Sequence, residues 1–426
     1  MSAPTKARLL GPWLATALVV GNMVGSGVFL LPASLASFGW NGVLAWGLTT
    51  GGALTLALVI ARLSAVRPHS GGPVGVVTQV FGPFIGALIG WSCWVSWWTA
   101  AATVAIAAVS YLSVFAPILA TPGIAALAAI VLIAALTLLN LRGARDAGRF
   151  QLVTTLLKLM PLVAVVVILS TFPARGVVLP PLPAEGFSLA AITSAAALTL
   201  WALVGFESAG LAADKLSDPA RDIARSTIGG TLTTGVLYIV VCSGIVLTLP
   251  AATLASSNAP FALFLETYWS HGAALTVAAF AAISAIGALN GFILIQGEIP
   301  LTMARVGVLP GWFGKTDDAG TPRRMLIVSS VLAAALVAAN AAKTTAALFT
   351  FLALLSTSAT LWLYLALALA ALRLRVVIPV AAIGALYSLW TLWGAGIEAS
   401  LLSLILMLTV LPIYAMRSRA LAKQTA

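Results

Sequence analysis

Runs of about 20 mostly apolar residues, each long enough to cross a bilayer as a helix, recur along the whole chain. Nothing else in the sequence restricts its fold so severely. Twelve are read, at about 10–31, 41–61, 83–115, 123–141, 151–172, 189–213, 226–249, 272–300, 325–341, 345–371, 376–393 and 396–416. Only 8% of the residues are charged against 61% hydrophobic, too little charge to coat a soluble chain of 426 residues. Backbone groups in hydrocarbon must be satisfied within their own segment, which makes each run a helix. The expected fold class is an all-α integral membrane protein of twelve transmembrane helices, a single polytopic domain over 1–426. No cleavable signal is expected, because the first run follows a short polar stretch directly and is too long for a signal's apolar core.

The formal net charge of +11 is distributed as a topology signal. If the spans alternate from a cytoplasmic N-terminus, 19 of the 22 Lys and Arg residues fall on the inside, from Lys6 and Arg8 to Arg419 and Lys423. Only Arg175 and Lys343 fall outside, and the opposite orientation inverts that ratio. Both termini are therefore expected in the cytoplasm, and a nucleic-acid partner is not expected; the lipid bilayer is the surrounding partner. The remaining basic residue, Lys158, lies inside the fifth run. The polar connectors at 214–225 and 301–324 read as short surface helices or loops, with solvated linkage as their simplest role. Cys93 and Cys242 lie inside runs and read as packing residues. His69 and His271 fall in loops on opposite faces, which excludes a site shared by both, and no phosphate-binding or dinucleotide motif is present. No cofactor and no metal are expected, and no cluster of acids and nucleophiles suggests an enzyme.

Two runs are interrupted where a spanning helix is normally most regular. The first contains GNMVGSGVFLLP (21–32), and the sixth contains LTLWALVGFESAG (198–210). Glycines at 25 and 27 let the backbone leave helical geometry, and Ser26 adds a hydroxyl. A break inside a membrane strands N–H and C=O groups and persists only where it lines a wet cavity or holds a ligand. N–H groups at the start of the second half-helix suit a carboxylate, and carbonyls before the break suit an ammonium. The alternative for Gly-Ser-Gly alone is close helix packing. Breaks in the first and sixth of twelve runs fit two five-helix halves of inverted topology, expected at 10–172 and 189–371, with 376–416 adding two helices.

These stretches, with FGPFIG (81–86), DPARDIARSTIGG (218–230) and GVLP (307–310), resemble the amino acid–polyamine–organocation superfamily. Within it they are most similar to the basic amino acid/polyamine antiporters of arginine/agmatine type, over about residues 8–416. The resemblance implies the LeuT-like fold with discontinuous helices 1 and 6, alternating access in a bacterial-type cytoplasmic (inner) membrane, and an allowance for a homodimer. It implies that Met23, Ser26 and Gly27, with Trp201 and Val204, surround the amino and carboxylate groups of an amino acid or amine. It also implies that Phe292 faces the substrate side chain and that Glu207 is a proton-responsive gate. Departures from the pattern fall in the side-chain pocket. Cys93 stands where the family antiporter has tyrosine, Ala101 where it has asparagine, Phe292 where it has tryptophan and Ala202 where it has serine. Each removes polarity or aromatic surface.

TTLLKLMP (154–161) resembles the fifth span of proton-coupled members of the superfamily, where a lysine takes the place of a sodium ion. Lys158 is thus expected to reach the free carbonyls of the first span and a hydroxyl such as Ser284, and to exchange a proton in each cycle. The alternative is a lysine that snorkels to the membrane surface. For Glu207 the alternative is a structural acid bonded to its own broken span. Glu298 reads as interfacial, and Asn22 and Asn290 read as helix-bridging residues. The leading expectation is a secondary transporter of amino acids or their amines, with protons as coupling partners. Proton-coupled movement of neutral apolar amino acids is the alternative within that class, and a channel the alternative outside it.

Overall fold

A computed structural model describes residues 16, 19–21, 23–25, 27–67, 72–142, 157–184, 186–206, 219–318 and 320–425. Among these residues the secondary structure is helical, with no strand. The principal helices are α1 (Gly27–Leu35), α2 (Trp40–Val66), α3 (Gly72–Phe81), α4 (Pro83–Leu112) and α5 (Pro122–Leu141). They continue as α6 (Leu159–Ser170), α7 (Leu189–Leu203), α8 (Pro219–Thr248), α9 (Pro260–Tyr268) and α10 (His271–Arg305). The last five are α11 (Arg323–Ala339), α12 (Thr345–Arg373), α13 (Ile378–Gly394), α14 (Gly396–Leu408) and α15 (Val410–Thr425).

Among the described residues, seven helical segments are long and apolar enough to cross a membrane: α2, α4, α5, α8, α10, α12 and the joined segment Gly396–Arg417. Several expected spans yield shorter helices. The first resumes only at Gly27, and the sixth stops at Leu203, because each is interrupted. The polar connector expected at 214–225 is partly helix, since Pro219 opens α8 at a position where its missing N–H costs nothing. Two of these principal helices have no counterpart in the sequence reading. α3 is set off from α4 by Pro83, and α9 starts at Pro260 in the link before α10.

Apolar side chains turned outward follow helical spacing. On α8, Leu232, Val236 and Val240 are exposed one turn apart, while Tyr238, Val241, Cys242 and Ile245 are buried. Leu127, Val131 and Leu138 of α5 and Met160, Val163 and Val167 of α6 form similar stripes. Exposed apolar stripes on so many helices suit a hydrocarbon surround rather than water. Both cysteines are buried, and neither forms a disulfide.

The interior is tied by polar clamps between helices. The Asn140 amide on α5 donates to Asn290 Oδ1 on α10 at 2.9 Å. Farther along the same two helices, Thr137 Oγ1 bonds Ser330 Oγ of α11 at 2.7 Å, and Gln296 Nε2 bonds it at 2.9 Å. The Trp94 indole of α4 donates to the neighbouring Ser329 Oγ at 2.9 Å. Asn290 thus bridges helices as its sequence position suggested. The clamps hold α10 against α4, α5 and α11, and Ala288 of α10 stands against Gly25 in the first helix break.

Ser330→Ala removes the shared partner of Thr137 and Gln296. Interhelical bonds of this kind contribute roughly 0.6–1.7 kcal/mol in membranes. The expected outcome is a thermal unfolding midpoint in detergent lowered by several degrees, with no such change for Leu386→Ala on the exposed face of α13.

Candidate functional site between two interrupted helices

The described residues before α1 are helical as far as Met23, and their last helical bond is Val24 N–H to Val20 O at 2.8 Å. A tight turn follows, in which Gly25 N–H bonds Met23 O at 2.8 Å, and helix resumes at Gly27. In α7 the last regular bond runs from Val204 N–H to Leu200 O at 3.1 Å. Val204 is extended (φ −60°, ψ 139°) and Gly205 has φ 115°, a left-handed conformation that a side chain resists. The two interruptions meet. A Cβ added at Gly27 would lie 2.6 Å from Trp201 Nε1, so the absence of a side chain at 27 lets the indole pass across the start of α1.

The stranded carbonyls of the first break have acquired donors. Tyr238 of α8 donates its hydroxyl to Met23 O at 2.9 Å, and Lys158 Nζ lies 3.4 Å from Gly21 O. Lys158 is buried, which sets aside the snorkelling alternative. Farther along α1, the Tyr111 hydroxyl donates to Phe29 O at 2.8 Å and accepts from Phe261 N–H of α9 at 3.3 Å. Tyr238 and Tyr111 are contributions the sequence reading missed; each is one aromatic within an apolar run.

Between the breaks lies a hollow of about 40 Å³, walled by Met23, Gly25 and Gly27 on one side and Trp201, Ala202 and Val204 on the other. At roughly 10–15 Å³ per water, it holds about three waters, so its walls stand closely together. α4 closes it with Cys93, Ser96, Trp97 and Ala100, α10 with Phe292, and α12 with Ser356 and Thr360. Among the residues expected to hold the substrate, Met23, Gly27, Trp201, Val204 and Phe292 meet at this one hollow. Ala101, by contrast, is fully buried beside Ala100 and is not among the wall residues. Ser26 and Glu207 lie outside the described residues. Ser284 of α10 is buried, its hydroxyl without a hydrogen-bond partner among the described residues, one turn before Ala288, whose Cβ would lie 3.9 Å from a Cβ at Gly25.

The polar groups of the hollow divide into donors and acceptors. The positive, amino end of α1 opens on it, as does the negative, carboxyl end of α7. The buried Trp201 indole N–H has no acceptor among the described residues. Three wall hydroxyls spend their protons on backbone carbonyls: Ser96 on Cys93 O at 2.7 Å, Ser356 on Ser96 O at 2.8 Å and Thr360 on Ser356 O at 3.0 Å. Their oxygens therefore face a ligand as acceptors. Among the described residues no three His, Cys, Asp or Glu side chains converge on a metal geometry.

A helical membrane protein with a small hollow between two interrupted helices, mostly apolar but edged by helix ends and hydroxyls, is built as a solute transporter. The amino acid permease family model matches residues 10–424, and the chain belongs to that family. It is 31% identical over 342 residues to the cadaverine/lysine antiporter of Escherichia coli K12, covering 78% of this chain and 75% of that one. It is 28% identical over 408 residues to the putrescine transporter PotE of Haemophilus influenzae, covering 93% and 94%. To PotE of Escherichia coli K12 it is 27% identical over 408 residues, covering 93% of each. The protein is a multi-pass membrane transporter of amino acids or their amines and not an enzyme.

Gly27→Ala forces the Trp201 indole to move, and the expected outcome is a transported-substrate affinity weaker by about tenfold, ~1.4 kcal/mol. Gly123→Ala, where a Cβ meets nothing within 4 Å, is expected to bind as the wild type. Equal affinities in equilibrium binding would separate the hollow from the substrate.

Proposed function

We propose that this permease exchanges a basic amino acid for its decarboxylated amine by alternating access around the two helix breaks. The observation that carries the reading is the acceptor-rich wall. Ser96, Ser356 and Thr360 have no proton to offer, so with the carboxyl end of α7 they complement an ammonium. The amino end of α1 and the Trp201 N–H complement a carboxylate, and an amine product loses only that half of the contacts. The relatives' names, cadaverine/lysine antiporter and putrescine transporter, favour this over transport of neutral apolar amino acids.

In this reading the chain forms twelve spans with both termini in the cytoplasm of a bacterial-type cell. Two inverted halves at 10–172 and 189–371 are followed by two further helices at 376–416. Support comes from the neighbours: α1 packs on α7, α2 on α8, α4 on α10 and α5 on α11, and each pair holds corresponding positions in the two halves. Met23, Ser26, Gly27, Trp201, Val204 and Phe292 form the substrate site, and Glu207 gates it. Lys158, held at Gly21 O, couples proton movement to the first break; the expected contact with Ser284 is not formed, since that hydroxyl has no hydrogen-bond partner among the described residues.

Counterflow in proteoliposomes tests the exchange. Internal cadaverine is expected to accelerate saturable entry of labelled lysine or arginine; acceleration by internal leucine alone would contradict it. Lys158→Ala is expected to flatten the pH profile of uptake while leaving the protein monodisperse. A wild-type pH profile in that variant would remove the lysine from coupling.

A further inference from the structure

A second cavity of about 230 Å³ adjoins the hollow, and Cys93, Trp97 and Leu363 line both. The partition is therefore a layer of side chains. Trp97 belongs to it and packs on Phe292 with ring centroids 5.2 Å apart. The second cavity is mostly apolar, with Thr302 and one carboxylate, that of Glu298, in its lining. Glu298 is partly buried and forms no salt bridge within 4 Å among the described residues. Arg305 stands two turns farther on, at the end of α10 and outside the cavity's lining. A carboxylate in an apolar recess calls for a cationic partner.

The spacing along α10 indicates which partner. Phe292 lines the hollow and Glu298 lines the second cavity. Six residues of helix separate them by roughly 9 Å. Side chains of both residues lean toward the helix's amino end, so the separation carries over to the side chains. A chain of five methylenes bridges that gap; a chain of two does not.

We propose that Glu298 and the cavity it lines form a second docking subsite, taking the far ammonium of a long diamine or the side-chain ammonium of a basic amino acid whose near end sits between the helix breaks. The subsite rests on the exchange reading above and deepens it. It makes selectivity for long dications a property of α10 rather than of the breaks. The near ammonium meets the hydroxyl oxygens of α4 and α12, and the far one meets a formal charge. Movement of Trp97 and Leu363 joins the two cavities around such a substrate.

The test compares cadaverine with pentylamine, which has the same carbon chain and lacks the far ammonium. Equilibrium binding is measured on purified full-length wild type, Glu298→Gln and Glu298→Asp. The wild type is expected to prefer cadaverine by at least tenfold. Glu298→Gln is expected to lose that preference while binding pentylamine as the wild type does, which also reports an intact fold. Glu298→Asp keeps the charge on a shorter arm and is expected to fall between the two. A Glu298→Gln protein that keeps the full preference overturns the subsite, as does a Glu298→Asp protein indistinguishable from wild type should the Gln variant not fold. A wild type that binds both amines equally overturns the subsite and leaves the exchange reading standing. A wild type that binds neither overturns both.

Discussion

A peptide group without a partner in hydrocarbon costs several kcal/mol, and this chain interrupts a helix twice in its apolar interior. Much of the architecture around the hollow answers that cost. Tyr238 and Lys158 supply donors to the carbonyls left by the first break, each from a different helix. Phe206, just past the second break, stacks on Tyr364 of α12 with centroids 5.0 Å apart. The breaks are thus held from outside by Lys158, α8 and α12, and the Trp201 indole N–H, without an acceptor among the described residues, lies at the hollow between them. The same arrangement that keeps two broken helices in a membrane leaves helix ends and hydroxyl oxygens on the wall of the hollow, the site proposed for a solute with both a positive and a negative end.

The surrounding helices gain their rigidity from a different source. Without water to drive helices together, association in a bilayer rests on close packing and interhelical hydrogen bonds. The clamps among Asn140, Asn290, Thr137, Gln296 and Ser330 fasten α5, α10 and α11 to one another. α4 joins them through Trp94 and also donates Ser92 Oγ to Ala359 O of α12 at 2.8 Å. α1 and the end of α7 lie between this frame and the α2–α8 pair. A frame of bonded helices around two interrupted ones is a physical basis for rocking motions that leave the solute contacts in place.

Much of the helical content was legible in the sequence, because apolar runs of bilayer length admit one local structure. The interruptions were legible too, since Gly25, Gly27 and Gly205 stand where a spanning helix has no use for them. Less legible was which face of each helix turns inward. On α8, Tyr238 is buried and Val240, two residues on, is exposed, yet both belong to one apolar run. When lipid and protein interior are equally apolar, the 3.6-residue pattern that marks a soluble helix's inner face fades. For that reason Tyr238's role at Met23 O and the shared walls of the two cavities emerged only from the packing. Helix ends set by local chemistry were also hidden. Thr409 divides the last expected span into α14 and α15, and α3 and α9 were absorbed into connectors. Glu298 was read as interfacial because its position near the end of α10 was visible and the cavity beside it was not.

The central claim is that the paired breaks hold the transported solute. It is tested most directly by the experimental structure of this protein saturated with lysine. The account predicts ligand density between residues 25–27 and 204–206, its carboxylate at the amino end of α1 and its α-ammonium toward α7 and the wall hydroxyls. Density bound elsewhere, with the hollow between the breaks still closed to about the size of three waters, would contradict it.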